Sequence, residues 1–77
     1  MAKQQNYRLS ATKREGAVVG LGGFMADNEQ AALIEAADLV RSLIGGPHLD
    51  LDDFISIVGP NGPVGAAANV LEFVKRQ

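Results

Sequence analysis

The chain has 77 residues, a formal net charge of −2 and a hydrophobic content of 47%. It contains no cysteine and one histidine, which excludes disulfides and thiolate metal sites and argues against a structural zinc site. No apolar run approaches the roughly 18 residues of a membrane span, and the N-terminus lacks the apolar segment of a signal peptide, so we expect a cytoplasmic protein with no membrane partner.

Positive charge is concentrated at the start of the chain. Residues 1–14 contain no acid, whereas residues 15–77 contain all nine acids. We therefore predict a basic N-terminal arm over 1–14 and a single small helical domain over 15–77. Such an arm has two possible functions: it can lie on the acidic body of its own or a neighbouring subunit, or it can bind phosphates. The third interpretation is a solvated terminus without a function. The candidate phosphate contacts are Lys3, Arg8, Lys13 and Arg14.

The stretch that follows the first residues supports two alternatives. Residues 7–11 alternate apolar and polar side chains, which is typical of a half-buried strand, and residues 17–21 can pair with them as a short hairpin. Thr12 and Glu15 have capping-box spacing, so a helix that begins at Lys13 is the alternative. The glycines at 16, 20, 22 and 23 weaken that helix, and we prefer the hairpin.

The clearest predicted element is a helix over about residues 28–44. Asp27 is its predicted N-cap, Gln30 completes a capping-box spacing, and Gly45-Gly46-Pro47 ends it. Its apolar arc covers roughly 160°, which is wider than a surface helix needs. Two interpretations follow: it is the central core helix of a compact monomer, or it also packs on a second copy of the chain. The arc contains Ala32, Leu33, Ala36, Ala37, Leu39, Val40, Leu43 and Ile44.

Two further helices are predicted. Asp50 can cap a helix over 51–58, in which Leu51, Phe54, Ile55 and Val58 have helical spacing. A strand over residues 54–58 is the alternative, because β-branched residues dominate there. Pro63 suits the first position of a last helix over 63–76. The predicted fold is therefore mainly α: a small three-helix domain with a basic N-terminal arm, and with the short hairpin as an option.

No motif supports catalysis or a cofactor. Residues 55–62 resemble the strand and turn that open the phosphate loop of ABC-type ATPases, but Gly65 and Ala66 stand where that family has its Lys and its Ser or Thr. One histidine, no cysteine and acids at predicted helix starts provide no acid–base pair. We predict a non-enzyme with no catalytic residues, no cofactor and no metal.

The predicted function is a small protein–protein interaction or assembly module that associates with itself. A chain this short has a marginal core, and without disulfides or a metal its remaining reinforcement is association. Candidate interface residues are Leu39, Leu43, Val70 and Phe73. The alternatives are a small DNA-binding regulator that uses the basic arm and a small inhibitor or adaptor that docks on a larger protein. Nucleic acid is not favoured, because the helix that would read the bases carries only Asn69 for that purpose.

Overall fold

The computed structural model describes residues 4–76 of the chain; residues 1–3 and 77 lie outside the described part. Its elements, in chain order, are β1 Gln5–Thr12, β2 Val18–Ala26, α1 Glu29–Leu43, β3 Phe54–Gly59, β4 Gly62–Pro63, β5 Ala68–Asn69 and α2 Val70–Arg76.

The five strands form one antiparallel sheet in the spatial order β2-β1-β3-β4, and β5 pairs with the other end of β3. β2 and β3 both run antiparallel to β1, so they are parallel to each other and α1 connects them across β1. The prediction of a mainly α, three-helix domain is therefore wrong. The chain is a sheet with two helices on one face.

Residues 5–26 form the long hairpin of this sheet. β1 pairs with β2 along its whole length, and a tight turn joins them, in which Gly16 has a φ of +98° and donates its N–H to the Lys13 carbonyl. The hairpin option agrees with the structure, although both strands are longer than predicted. The basic arm is wrong over residues 5–12, because they form the central strand rather than an appendage. The helix that would begin at Lys13 is absent.

The core lies between the sheet and α1. Leu9 and Ala11 of β1 and Ile55 and Ile57 of β3 project from one face of the sheet and are buried. The helix meets that face with small, fully buried residues, Ala32, Ala36 and Ala37, and with Val40. Because alanine side chains are short, the helix axis can lie close to the strands. The wide arc predicted for α1 is therefore used largely against this sheet.

The predicted first helix is confirmed, with a different cap. Asn28, not Asp27, is the N-cap: its side-chain Oδ1 accepts the Ala31 N–H at 2.8 Å. At the other end Ile44 donates to the Val40 carbonyl, and Gly45 takes a φ of +87°. The predicted end of the helix at Gly45-Gly46-Pro47 is therefore confirmed.

The predicted helix over 51–58 is wrong, and the strand alternative describes this segment. Residues 54–59 form β3, in which buried Ile55 and Ile57 alternate with Phe54 and Val58 on the opposite face. Asp50 caps no helix; instead its backbone N–H donates to the Asp53 carboxylate. Pairing with β1 decides between the two patterns, because it buries both isoleucines at once.

The predicted helix over 63–76 is correct only for its last seven residues. Pro63 lies in β4 opposite Val58, and Gly65 has a φ of +68°, which no helix interior accommodates. Ala68 and Asn69 pair with β3, and the Asn69 side chain then accepts the Leu71 N–H at the start of α2. Within residues 4–76, no helix is both long and apolar enough to cross a membrane.

Candidate interaction surface

One face of the sheet is covered by neither helix, and we call it the open face. Cross-strand rows define it: Thr12 lies between Val18 and Phe54, Ser10 between Gly20 and Ser56, and Arg8 between Gly23 and Val58. The residues in the central row of the open face are therefore small, and two of the three are polar. Large apolar side chains stand exposed around that row, namely Val18, Met25, Phe54 and Val58.

The open face carries positive charge and no negative charge. None of the five strands contains an acid, and Arg8 is their sole charged residue. Arg8 makes no ion pair with any residue from 4 to 76. It also borders several shallow hollows, of which the largest, about 550 Å³, lies between the start of β1 and the β3–β4 turn. The open face is therefore suited to a partner that is not basic.

The β2 edge of the sheet is unprotected. β2 has nine residues, with neither a charge nor a proline, and it is the last strand on its side. An edge strand presents a row of unpaired backbone N–H and C=O groups, and native proteins usually block such a row with charges, proline or very short strands. The opposite edge is blocked in this way, because β4 and β5 have only two residues each and β4 contains Pro63.

A β-bulge limits how much of the β2 edge is regular. Leu9 pairs with Gly22 and Ser10 with Gly20, so Leu21 is an extra residue, and its side chain packs against the core. Gly22 has a φ of +132°, a conformation that suits glycine at this irregularity. The glycines of this segment, which the sequence could not assign to an element, thus build a bulge. Beyond the bulge, the register with β1 is unbroken from residue 22 to residue 26.

Lys13, one of the candidate phosphate contacts, is held by an ion pair. Its ammonium Nζ lies 2.6 Å from Asp53 Oδ2 and 2.9 Å from the His48 carbonyl oxygen, which it donates to. Burial raises the pKa of Asp53, but the hydrogen bonds from the Asp50 N–H and from Lys13 outweigh it and hold that pKa below its usual value. The hydrogen bond to Asp53 in turn raises the pKa of Lys13. This contact ties the end of β1 to the loop before β3.

The other candidate phosphate contacts do not form one cluster with Lys13. Arg8 lies on the open face, five residues and about 17 Å along the strand from Lys13. Arg14 is exposed in the hairpin turn. Lys3 lies outside the described residues. No single basic patch is therefore assembled from the described members of this set.

The four candidate interface residues lie on the helical side of the molecule. Val70 and Phe73 are buried within the chain itself, and Leu39 and Leu43 are partly buried against the core. The exposed apolar residues of the open face and the β2 edge were missed by sequence reasoning. For those on β2, the signal that could have found them is the length of residues 17–26 without a single charge.

The described residues do not bring together the side chains of a metal site. Among residues 4–76, no group of three or more His, Asp or Glu side chains is arranged to hold a metal ion. His48 is exposed in a loop. Comparison of the chain with protein families, with curated proteins and with solved structures finds no match.

Proposed function

We propose that the chain is a small non-enzymatic protein-interaction module that associates with itself through the β2 edge and the adjoining part of the open face. The observation that supports this most strongly is the β2 edge, which is long, uncharged and free of proline. A strand of that kind is a template for pairing with another chain, because its outer backbone groups gain hydrogen-bond partners when a strand is added.

Apolar side chains next to the edge add to this argument. Met25 on β2 is 52% exposed and Val18 is 67% exposed, and both project onto the open face. Covering apolar surface contributes about 25 cal/mol per Å² removed from water. A 77-residue domain without cysteine has few other ways to gain stability, so association would benefit the fold as well as the function.

Two alternative functions stay predictions. An adaptor that docks on a larger protein would find in Arg8 a guanidinium free to pair with an acidic side chain of that protein. A DNA-binding regulator has less support, because Lys13 is already paired with Asp53 and Arg8 belongs to a strand rather than to an arm.

The test is light scattering coupled to size-exclusion chromatography, at about 5 and about 500 µM protein. We expect the wild-type mass to rise above that of one chain as the concentration rises. Met25→Lys should stay a monomer, because a lysine beside a sheet edge must lose water of hydration when a strand is added.

Ile34→Lys is the matched control. Ile34 is 53% exposed, as Met25 is, but lies on α1. This variant should associate as the wild type does. A wild-type chain that remains a monomer at both concentrations would remove the proposal.

A further inference from the structure

We infer that two copies of the chain pair antiparallel through residues 22–26 of β2, with a two-fold axis at Phe24. This inference rests on the proposed self-association and specifies its geometry. Two identical edges meet most simply by a two-fold rotation, which sets each strand antiparallel to its copy.

The alternation of β2 restricts the register. Beyond the bulge, Gly22, Phe24 and Ala26 face the core side, whereas Gly23 and Met25 face the open side. Residues directly opposite each other on paired strands share a face. An axis at Phe24 satisfies this rule and pairs all five residues from 22 to 26, where the register with β1 is unbroken. An axis at Gly23 or at Met25 also satisfies it, but pairs only three of the five.

Side-chain sizes favour the same register. An axis at Phe24 sets Met25 of each copy opposite Gly23 of the other, so a long flexible side chain lies over a residue that has none. It also sets the two Phe24 residues side by side. Phe24 already stacks on Tyr7 of its own chain, with ring centroids 5.7 Å apart and planes 19° from parallel. Pairing would extend this stack into a row of four aromatic rings.

The charges near the edge do not oppose this pairing. The nearest acid to the run is Asp27, which directly follows β2. In this register it comes beside Leu21 of the second copy, and the two Asp27 side chains are about 20 Å apart. At that separation, salt at physiological strength screens their repulsion. The helices of both copies then lie on the same side of one continuous sheet.

The absence of cysteine allows a direct test of the register. Gly23→Cys and Met25→Cys variants are mixed and oxidised in air. In the inferred register these positions are directly opposite, with Cβ atoms about 5 Å apart, so mixed disulfide dimers should dominate. Met25→Cys alone should give few, because its two copies are diagonal neighbours about 7–8 Å apart.

Val18→Cys is the control for random collision. Val18 is at least as exposed as Met25, but its two copies would lie more than about 30 Å apart. It should give only background disulfide, alone or mixed with Met25→Cys. Light scattering on the reduced variants shows whether they associate.

The outcomes separate the two proposals. Association without the mixed Gly23–Met25 disulfide would overturn the register and leave self-association standing. Efficient disulfide formation by Met25→Cys alone would move the axis to Met25 and overturn the register as well. A monomeric wild-type chain would overturn both.

Discussion

Asp53 is the one buried charged residue among residues 4–76, at 2% exposure, and it directly precedes β3. It accepts the Asp50 N–H and the Lys13 ammonium through the same oxygen, and its own backbone carbonyl accepts the N–H of Val70 at the start of α2. Three elements of the chain therefore meet at one residue. A buried carboxylate is stable only while such partners remain, because an unpaired charge is costly to keep away from water.

Replacement of Asp53 tests this arrangement. Asp53→Asn keeps the shape but removes the charge that Lys13 pairs with, and we expect the melting temperature at pH 7 to fall by about 5–10 °C. Asp50→Asn is the control, because its carboxylate is 77% exposed and 3.8 Å from Lys13; its loss should cost at most about 2 °C. Thermal melts by circular dichroism measure both. Equal effects of the two variants would contradict the role given to Asp53.

The same pair predicts the direction of the pH dependence. The pKa of Asp53 is lower in the folded chain, so its stabilising contribution is present above the unfolded value of about 3.9 and is lost as the pH falls through the folded pKa. The pKa of Lys13 is raised, so its contribution is lost only when the pH rises above about 10.5. Between these limits the pair contributes no pH dependence. In Asp53→Asn the decline on the acid side should be shallower than in the wild type.

At the scale of elements, α1 was predictable because every signal for it is local. Its helix-forming residues, the spacing of its apolar side chains and the Gly-Gly-Pro sequence that ends it all lie within twenty residues. Only the cap was misplaced, since Asp27 and Asn28 are both good capping residues and the sequence alone does not choose between them. The structure chooses Asn28 because β2 continues through Ala26 and leaves two residues for the turn into the helix.

This choice predicts unequal effects of two adjacent substitutions. Asn28→Ala removes the acceptor for the Ala31 N–H and should lower the free energy of unfolding by about 1 kcal/mol. Asp27→Ala should cost less than half of that, because no described hydrogen bond depends on its side chain. Urea denaturation of both variants and the wild type measures the difference. A larger loss for Asp27→Ala would contradict the assignment of the cap.

The strands after α1 could not be predicted from local pattern. Ile55 and Val58 fit both a helical stripe and an alternating strand, and β1, more than forty residues earlier, decides between them by pairing. Pro63 is equally compatible with the first turn of a helix and with the edge of a sheet. The surface was missed for the same reason. The uncharged run of β2 is visible in the sequence, but its place at the edge depends on where β3 pairs.

At the scale of the whole molecule, the chain is small for a domain without covalent or metal reinforcement. Its Cα radius of gyration is 11.9 Å, and neither helix covers the open face of its sheet. Domains of this size bury only about 60–65% of the surface of the unfolded chain, so their stability is generally marginal, and any partner that binds only the folded form raises it.

Self-association should therefore make stability depend on concentration. We expect the wild-type melting temperature to rise by several degrees between about 5 and about 500 µM, because dimers contain only folded chains. Met25→Lys should melt at one temperature throughout this range. Differential scanning calorimetry at both concentrations provides the measurement, with Ile34→Lys as the variant that should retain the dependence. A wild-type melting temperature that does not change would argue against a dimer.

The proline in β4 has a consequence for how far such an assembly can grow. A sheet that offered two open sides would add copies without limit and form a fibre. Here the two-residue strands β4 and β5, with Pro63 in β4, block one edge of the sheet, so each copy has a single long edge to share. If two copies pair as proposed, neither has a second uncharged edge to offer. We then expect growth to end at a dimer rather than a fibre, because the pairing covers the strand that could otherwise promote amyloid.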